Sequence, residues 1–229
     1  MNCMKQLLEN DFIEFYGISS KVKVDSQITR EFEFDLDDSL SPFSINSFGT
    51  GKVSLRNEKG DLEIIHYENF INQCIKPQSF LKNRKRCDYL LAHANKQETI
   101  LLVEITSALG TKEQLEKPIF HSNNKSILFA GGKFEKCEEQ LWQSLRDLKQ
   151  VPSIGEKIDL YARKICLMAY EIKPYSQQEK NTVIRRPFNR YLRTESKTTF
   201  ESGAVIPCPK IEALKFEYRR IEHKNVFRL

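Results

Sequence analysis

Apolar positions recur along this chain in three patterns. Between Lys5 and Tyr16, Leu7, Leu8, Phe12 and Phe15 follow the helical repeat, which predicts a short opening helix. Residues 21–37 read as extended, and Glu31 to Asp37 alternates strictly. Phe32, Phe34 and Leu36 then share one face, and Glu31, Glu33, Asp35 and Asp37 the other. That acid row reads as the solvated face of an edge strand, where charge discourages pairing with another chain. Ser47–Asn57 and Leu62–Tyr67 predict further strands on either side of the turn Asn57–Asp61, so residues 1–75 are expected to be β-rich.

The centre carries longer apolar runs. Asp88–Ala92 predicts a strand, His93–Glu98 a polar turn, and Thr99–Thr106 a second strand, together a β-hairpin. A brief helix is expected over Thr111–Lys117 and a buried strand over Ser126–Ala130. Phe134, Cys137, Leu141, Leu145 and Leu148 repeat at helical spacing and predict an amphipathic helix to Lys149. Arg163–Ile172 reads as a buried strand, Lys173–Thr182 as a loop, and Ala213–Ile221 as a last strand. Strands interleaved with a long helix imply an α/β fold, with a mixed central β-sheet flanked by helices. The organisation expected is a β-rich N-terminal part (1–75), a core (76–172) and a basic C-terminal extension (173–229).

Composition narrows the class. The 229 residues are 40% hydrophobic and include 15 Phe and 8 Tyr, enough for a substantial core. Runs such as Ile100–Val103 are far shorter than the roughly 20 residues that span a bilayer. With Glu9, Asp11 and Glu14 and no long apolar stretch, the first residues do not read as a signal peptide, and a soluble, cytoplasmic protein is expected. The six cysteines form no CxxC pair and the four histidines are isolated, so free, packed thiols are expected rather than a zinc site.

Charge is unevenly placed. Residues 173–197 hold seven Lys/Arg against two Glu, and Lys82–Arg86 is a second basic run. Arg185, Arg186, Arg190 and Arg193 are interleaved with Phe188 and Tyr191. Guanidiniums neutralise phosphates and aromatics stack on bases, so this segment is the candidate nucleic-acid contact. A solvated basic loop with inward-packed aromatics has the same composition.

One acid stands out. Glu104 ends the run Ile-Leu-Leu-Val, where a carboxylate is costly to bury unless something binds it. Pairing around the His93–Glu98 turn brings Asp88 to the same end of the hairpin. Two carboxylates and the Ile105 carbonyl are hard-oxygen ligands suited to Mg²⁺ or Mn²⁺, which would polarise a phosphodiester and acidify a water for attack. Period two puts Thr106 on the face of Glu104.

The segments "KRCDYLL" and "ILLVEIT", followed by a helix containing "EEQLWQSL", resemble the PD-(D/E)XK nuclease superfamily over about Lys85–Ile172. The resemblance implies a restriction-endonuclease-like core, Asp88 and Glu104 as metal ligands, and Gln140 as the helix glutamine near the site. It also implies a lysine where this chain has Thr106. Members of the family supply that lysine from neighbouring elements, which makes Lys133 and Lys112 candidates, and some add an upstream acid, here Glu68. The expected activity is metal-dependent phosphodiester hydrolysis, with DNA as the nucleic acid, in restriction, repair or antiviral defence. The alternative is a catalytically inactive nuclease-like subunit that binds nucleic acid or a partner protein. Either is compatible with a homodimer or a partner subunit and implies no membrane.

Overall fold

The computed structural model describes residues 3–18, 22–37, 45–75, 85–122, 126–173, 203–223 and 225–229. Among these, the chain builds three layers: helices, a large mixed sheet, and a smaller sheet against its far face. The opening helix forms as α1 (Met4–Leu7), a π-helical turn (Leu8–Phe12) and α2 (Ile13–Phe15). Strands β1 (Ser26–Thr29), β2 (Glu33–Leu36), β3 (Asn46–Ser47), β4 (Val53–Arg56) and β5 (Leu62–His66) follow, then α3 (Tyr67–Ile75). The centre supplies β6 (Tyr89–His93), β7 (Thr99–Leu109), α4 (Glu113–Glu116), β8 (Ile119–Phe120), β9 (Ile127–Phe129), α5 (Gly132–Gln150), α6 (Pro152–Asp159) and β10 (Arg163–Lys173). The end supplies β11 (Ala204–Val205), α7 (Pro209–Glu212), β12 (Glu217–Glu222) and β13 (Val226–Arg228).

The large sheet has the order β1-β5-β6-β7-β10-β12-β11. The predicted hairpin forms, with Tyr89 opposite Val103 and Ala92 opposite Ile100. Beyond it β7, β10 and β12 run parallel, and β1, β5, β6 and β11 are antiparallel to their neighbours. Strand β7 has no polar face over Ile100–Val103 because both of its faces are covered, as parallel sheets require. Ile100 and Leu102 pack with Leu141, Leu145 and Leu148 of α5, whereas Leu101, Val103 and Ile105 meet the small sheet. That small sheet, β13-β4-β2-β3, contributes Phe34, Leu36, Val53, Leu55 and Phe227.

Three expectations need correction. The acid row of residues 31–37 is not a solvated edge: β2 lies between β4 and β3, Asp35 is fully buried, and its Oδ2 accepts the Gly51 N–H at 2.7 Å. Phe32 instead stands 55% exposed, under the Arg56 guanidinium. Residues 126–130 do not form the buried strand expected: Phe129 is buried, but Ile127 is 58% exposed. Among the described residues strand β9 pairs only with β8. The strand expected over Ala213–Ile221 begins only at Glu217 and is followed by β13, because Pro209 opens α7 just before it, supplying at the first turn the fixed φ a helix needs. The six cysteines are free, and all but Cys3 are buried. No helix among the described residues is long and apolar enough to cross a membrane.

Candidate functional site

The site is built where β6 and β7 open. Their paired register ends at Tyr89–Val103, which leaves Asp88 and Glu104 as the next residue of each strand. Like charges placed across neighbouring strands repel. The Asp88 N–H leaves the regular ladder and donates at 3.0 Å to the carbonyl of Val103, the residue Tyr89 already opposes. The next ladder bond is replaced: the Ile105 N–H donates to Asp88 Oδ2 at 2.6 Å. Asp88 also receives the Glu68 N–H on its carbonyl at 3.2 Å, which draws the first turn of α3 to the same place.

Helix α5 closes the other side. Gln140 Nε2 donates to the Arg86 carbonyl at 2.8 Å, and Ser144 Oγ accepts the Cys87 N–H at 2.8 Å. Near the start of the helix, Lys133 Nζ donates to the Ser107 carbonyl. These anchors aim one helix face along the hairpin end, and Lys136 lies on that face one turn before Gln140.

Both carboxylates are deep: Asp88 is 8% and Glu104 5% exposed. Glu104 Oε2 and Gln140 Oε1 are buried without a hydrogen-bond partner among the described residues. Burial pushes the Glu104 carboxyl well above the ordinary glutamate range, and the charge of Asp88 pushes it further. Lys136 opposes that rise, Glu68 adds to it weakly, and the Gln140 amide favours the carboxylate slightly. The Cys137 thiol, also raised by burial, feels the same acids and lysine and bonds Thr106.

Asp88, Glu104, Thr106 and Gln140 therefore come together, while Glu68 meets Asp88 through its backbone N–H and places its carboxylate beside Arg86. Ile105 faces the small sheet with its side chain but presents its N–H to Asp88. Lys133 is committed to the Ser107 carbonyl, and Lys112 stands over the Tyr170 ring at 6.0 Å. Among the described residues Lys136 is a cation whose charge favours the ionised form of Glu104, and it was not among the lysines expected from the sequence. Its position four residues before Gln140 on an amphipathic helix was the available signal. Arg185, Arg186, Arg190 and Arg193 lie outside the described residues, as do Lys82 and Arg84.

An unpartnered buried carboxylate oxygen beside a second carboxylate suits a hard divalent cation. Among the described residues no three His, Cys, Asp or Glu side chains are gathered closely enough to hold one by themselves. The donor set on offer is thus two carboxylates, to be completed by backbone and solvent oxygens, which is how Mg²⁺ is commonly held. No protein-family model, curated protein or solved structure matches the chain, so any functional reading rests on this geometry alone.

Proposed function

We propose that the chain is a metal-dependent nuclease of the PD-(D/E)XK type that hydrolyses phosphodiester bonds in DNA. The observation that carries this reading is the buried Asp88–Glu104 pair, with one Glu104 oxygen unpartnered among the described residues. Two acids forced together in a dry site are destabilising unless a cation binds there, and function is the usual reason to keep such strain. A divalent cation, Mg²⁺ or Mn²⁺, would be held by Asp88, Glu104 and the Ile105 carbonyl, and would supply Lewis-acid polarisation of the phosphodiester.

The residues around the pair have distinct tasks in this reading. Glu104 would be ionised where it held the cation, and Asp88 is held in position by the Ile105 N–H. Lys136 replaces the motif lysine: its charge reaches the site from the helix, where Thr106 on the strand offers only a hydroxyl. Gln140, tied to the Arg86 carbonyl, keeps the helix face in register with the acids. Thr106 and the Gln140 carbonyl are hydrogen-bonding groups for the attacking water.

A second reading, an inactive nuclease-like subunit that retains nucleic-acid or partner binding, is favoured by Thr106 itself. The separating experiment is cleavage of plasmid and single-stranded DNA with Mg²⁺ and Mn²⁺, beside Glu104→Ala and an EDTA control. Metal-dependent cleavage lost in the variant establishes the nuclease. A folded protein that cleaves with neither metal leaves the inactive subunit.

A further inference from the structure

Arg220 differs from most described arginines in what holds it. Arg30, Arg56, Arg86, Arg219 and Arg228 each pair with a carboxylate, of Asp61, Glu33, Glu68, Glu217 and Glu58 respectively. Arg220 pairs with none among the described residues. Its guanidinium lies over the Phe134 ring at 4.4 Å and the Tyr218 ring at 5.2 Å, and its Nε donates to the Tyr218 hydroxyl at 3.1 Å. Ring faces attract the cation without neutralising it, and fix its plane while leaving the remaining N–H groups for a ligand.

Its place in the sheet connects it to the acids. Across the parallel strands Glu104 is in register with Met168, and Met168 with Arg220, so the three form one row. Met168 and Tyr218 belong to the helix-side core, which sets Arg220, two residues beyond Tyr218, on the face that carries Glu104. Two strand spacings separate Glu104 from Arg220, about 10 Å between Cα atoms. In the next row on that face lies Tyr170, in register with Thr106 and Glu222, set edge-on to Phe134 at 5.8 Å and with Lys112 over its ring. A half-buried, ring-backed cation thus stands a short step along the sheet from the acid pair.

We propose that Arg220 is a phosphate-binding subsite, holding the DNA backbone beside the bond positioned at Asp88 and Glu104. The assignment rests on the nuclease reading. It makes the carboxyl ends of β7, β10 and β12 the floor over which the DNA strand passes. Phe134, at the start of α5, and Tyr218 are positioning residues that hold the guanidinium flat.

The test is equilibrium binding of a fluorescein-labelled DNA, single-stranded and duplex, to the full chain in EDTA, over a range of NaCl concentrations. Wild type is compared with Arg220→Gln, Arg220→Lys and Glu104→Ala, each checked for folding by thermal denaturation. Arg220→Gln is expected to weaken binding about five- to tenfold near physiological salt. It should also lower the slope of log K against log salt by about 0.7 for single strands and 0.9 for duplex, one lost phosphate contact. Arg220→Lys should retain the slope with weaker affinity. Loss of affinity with an unchanged slope would mean that Arg220 only packs against Phe134, and would overturn the subsite. So would unchanged binding in Arg220→Gln when wild type binds and Glu104→Ala is inactive, an outcome that leaves the nuclease standing. Wild type that neither binds nor cleaves either DNA would overturn both.

Discussion

Ser144 accepts the N–H of Cys87 across a separation of 57 residues, and both groups are buried. The bond clamps the middle of α5 to the residue before Asp88, so the helix and the acid strand move as one body. A buried N–H deprived of its acceptor costs about 1–3 kcal/mol. Ser144→Ala should therefore lower stability by that amount in urea denaturation. It should also reduce cleavage more than an equally destabilising core variant, such as Leu148→Ala compared at matched folded fraction, because Asp88 loses its fixed position.

Lys136 and Lys133 separate two accounts of the missing motif lysine. Lys136 lies one turn before Gln140 and its charge favours the ionised form of Glu104, whereas Lys133 donates to the Ser107 carbonyl. Removing one well-placed charge from a catalytic site costs about 10²–10³ in turnover. Lys136→Ala is expected to lose that much in single-turnover cleavage, and Lys133→Ala to stay within about threefold of wild type. The reverse order would transfer the role to Lys133.

The Glu104 carboxyl gives a pH dependence of definite sign. In the folded chain burial and Asp88 hold it well above its ordinary value, while in the unfolded chain it titrates near 4.5. Above that value the unfolded chain releases a proton that the folded chain keeps. Stability contributed by the protonated carboxyl is thus full below the unfolded value and lost as pH rises towards the folded one. Glu104→Gln, which cannot ionise, should be more stable than wild type in EDTA by on the order of 1–2 kcal/mol at neutral pH, and less so at pH 5. Urea denaturation at pH 5, 7 and 8 measures this, and added Mn²⁺ should stabilise wild type but not the variant.

Glu63 ties the opening helix to the sheet. It is buried on β5 and accepts the Met4 and Lys5 N–H groups at 3.0 and 3.2 Å, an N-terminal cap supplied from a distant strand. Charge-assisted caps are worth about 1–2 kcal/mol. Glu63→Ala should cost about that in thermal or urea unfolding. Early hydrogen exchange should then be confined to residues 4–15, with the β6–β7 hairpin still protected.

Much of the local structure was legible because it rests on periodicity. The hairpin of β6 and β7, the helix from Phe134 and the strand at Arg163 appear where apolar spacing puts them. That Glu104 would be buried was legible for a related reason, since it continues an apolar run whose neighbours are covered on both faces. Pattern alone misplaced the carboxylates of residues 31–37, because alternation records which residues share a face and not which face is covered. Asp35 is buried because β4 and β3 flank it and Gly51 donates to it, and those contacts are made by residues remote in the chain.

The hairpin that gathers Asp88 and Glu104 at one end was written in the apolar runs on either side of the His93–Glu98 turn, since a short turn between paired strands leaves little choice of register. Which nearby lysine bears on them depends instead on packing between distant segments. Lys112, Lys133 and Lys136 are equivalent as residue types. The choice among them follows from how α5 is rotated against β6 and β7, which is set by Ser144, Gln140 and the leucines beneath them. The same holds for Arg220: its row with Glu104 exists because β10 and β12 stack in parallel beside β7, a pairing between segments whose spacing in the chain carries no record of it.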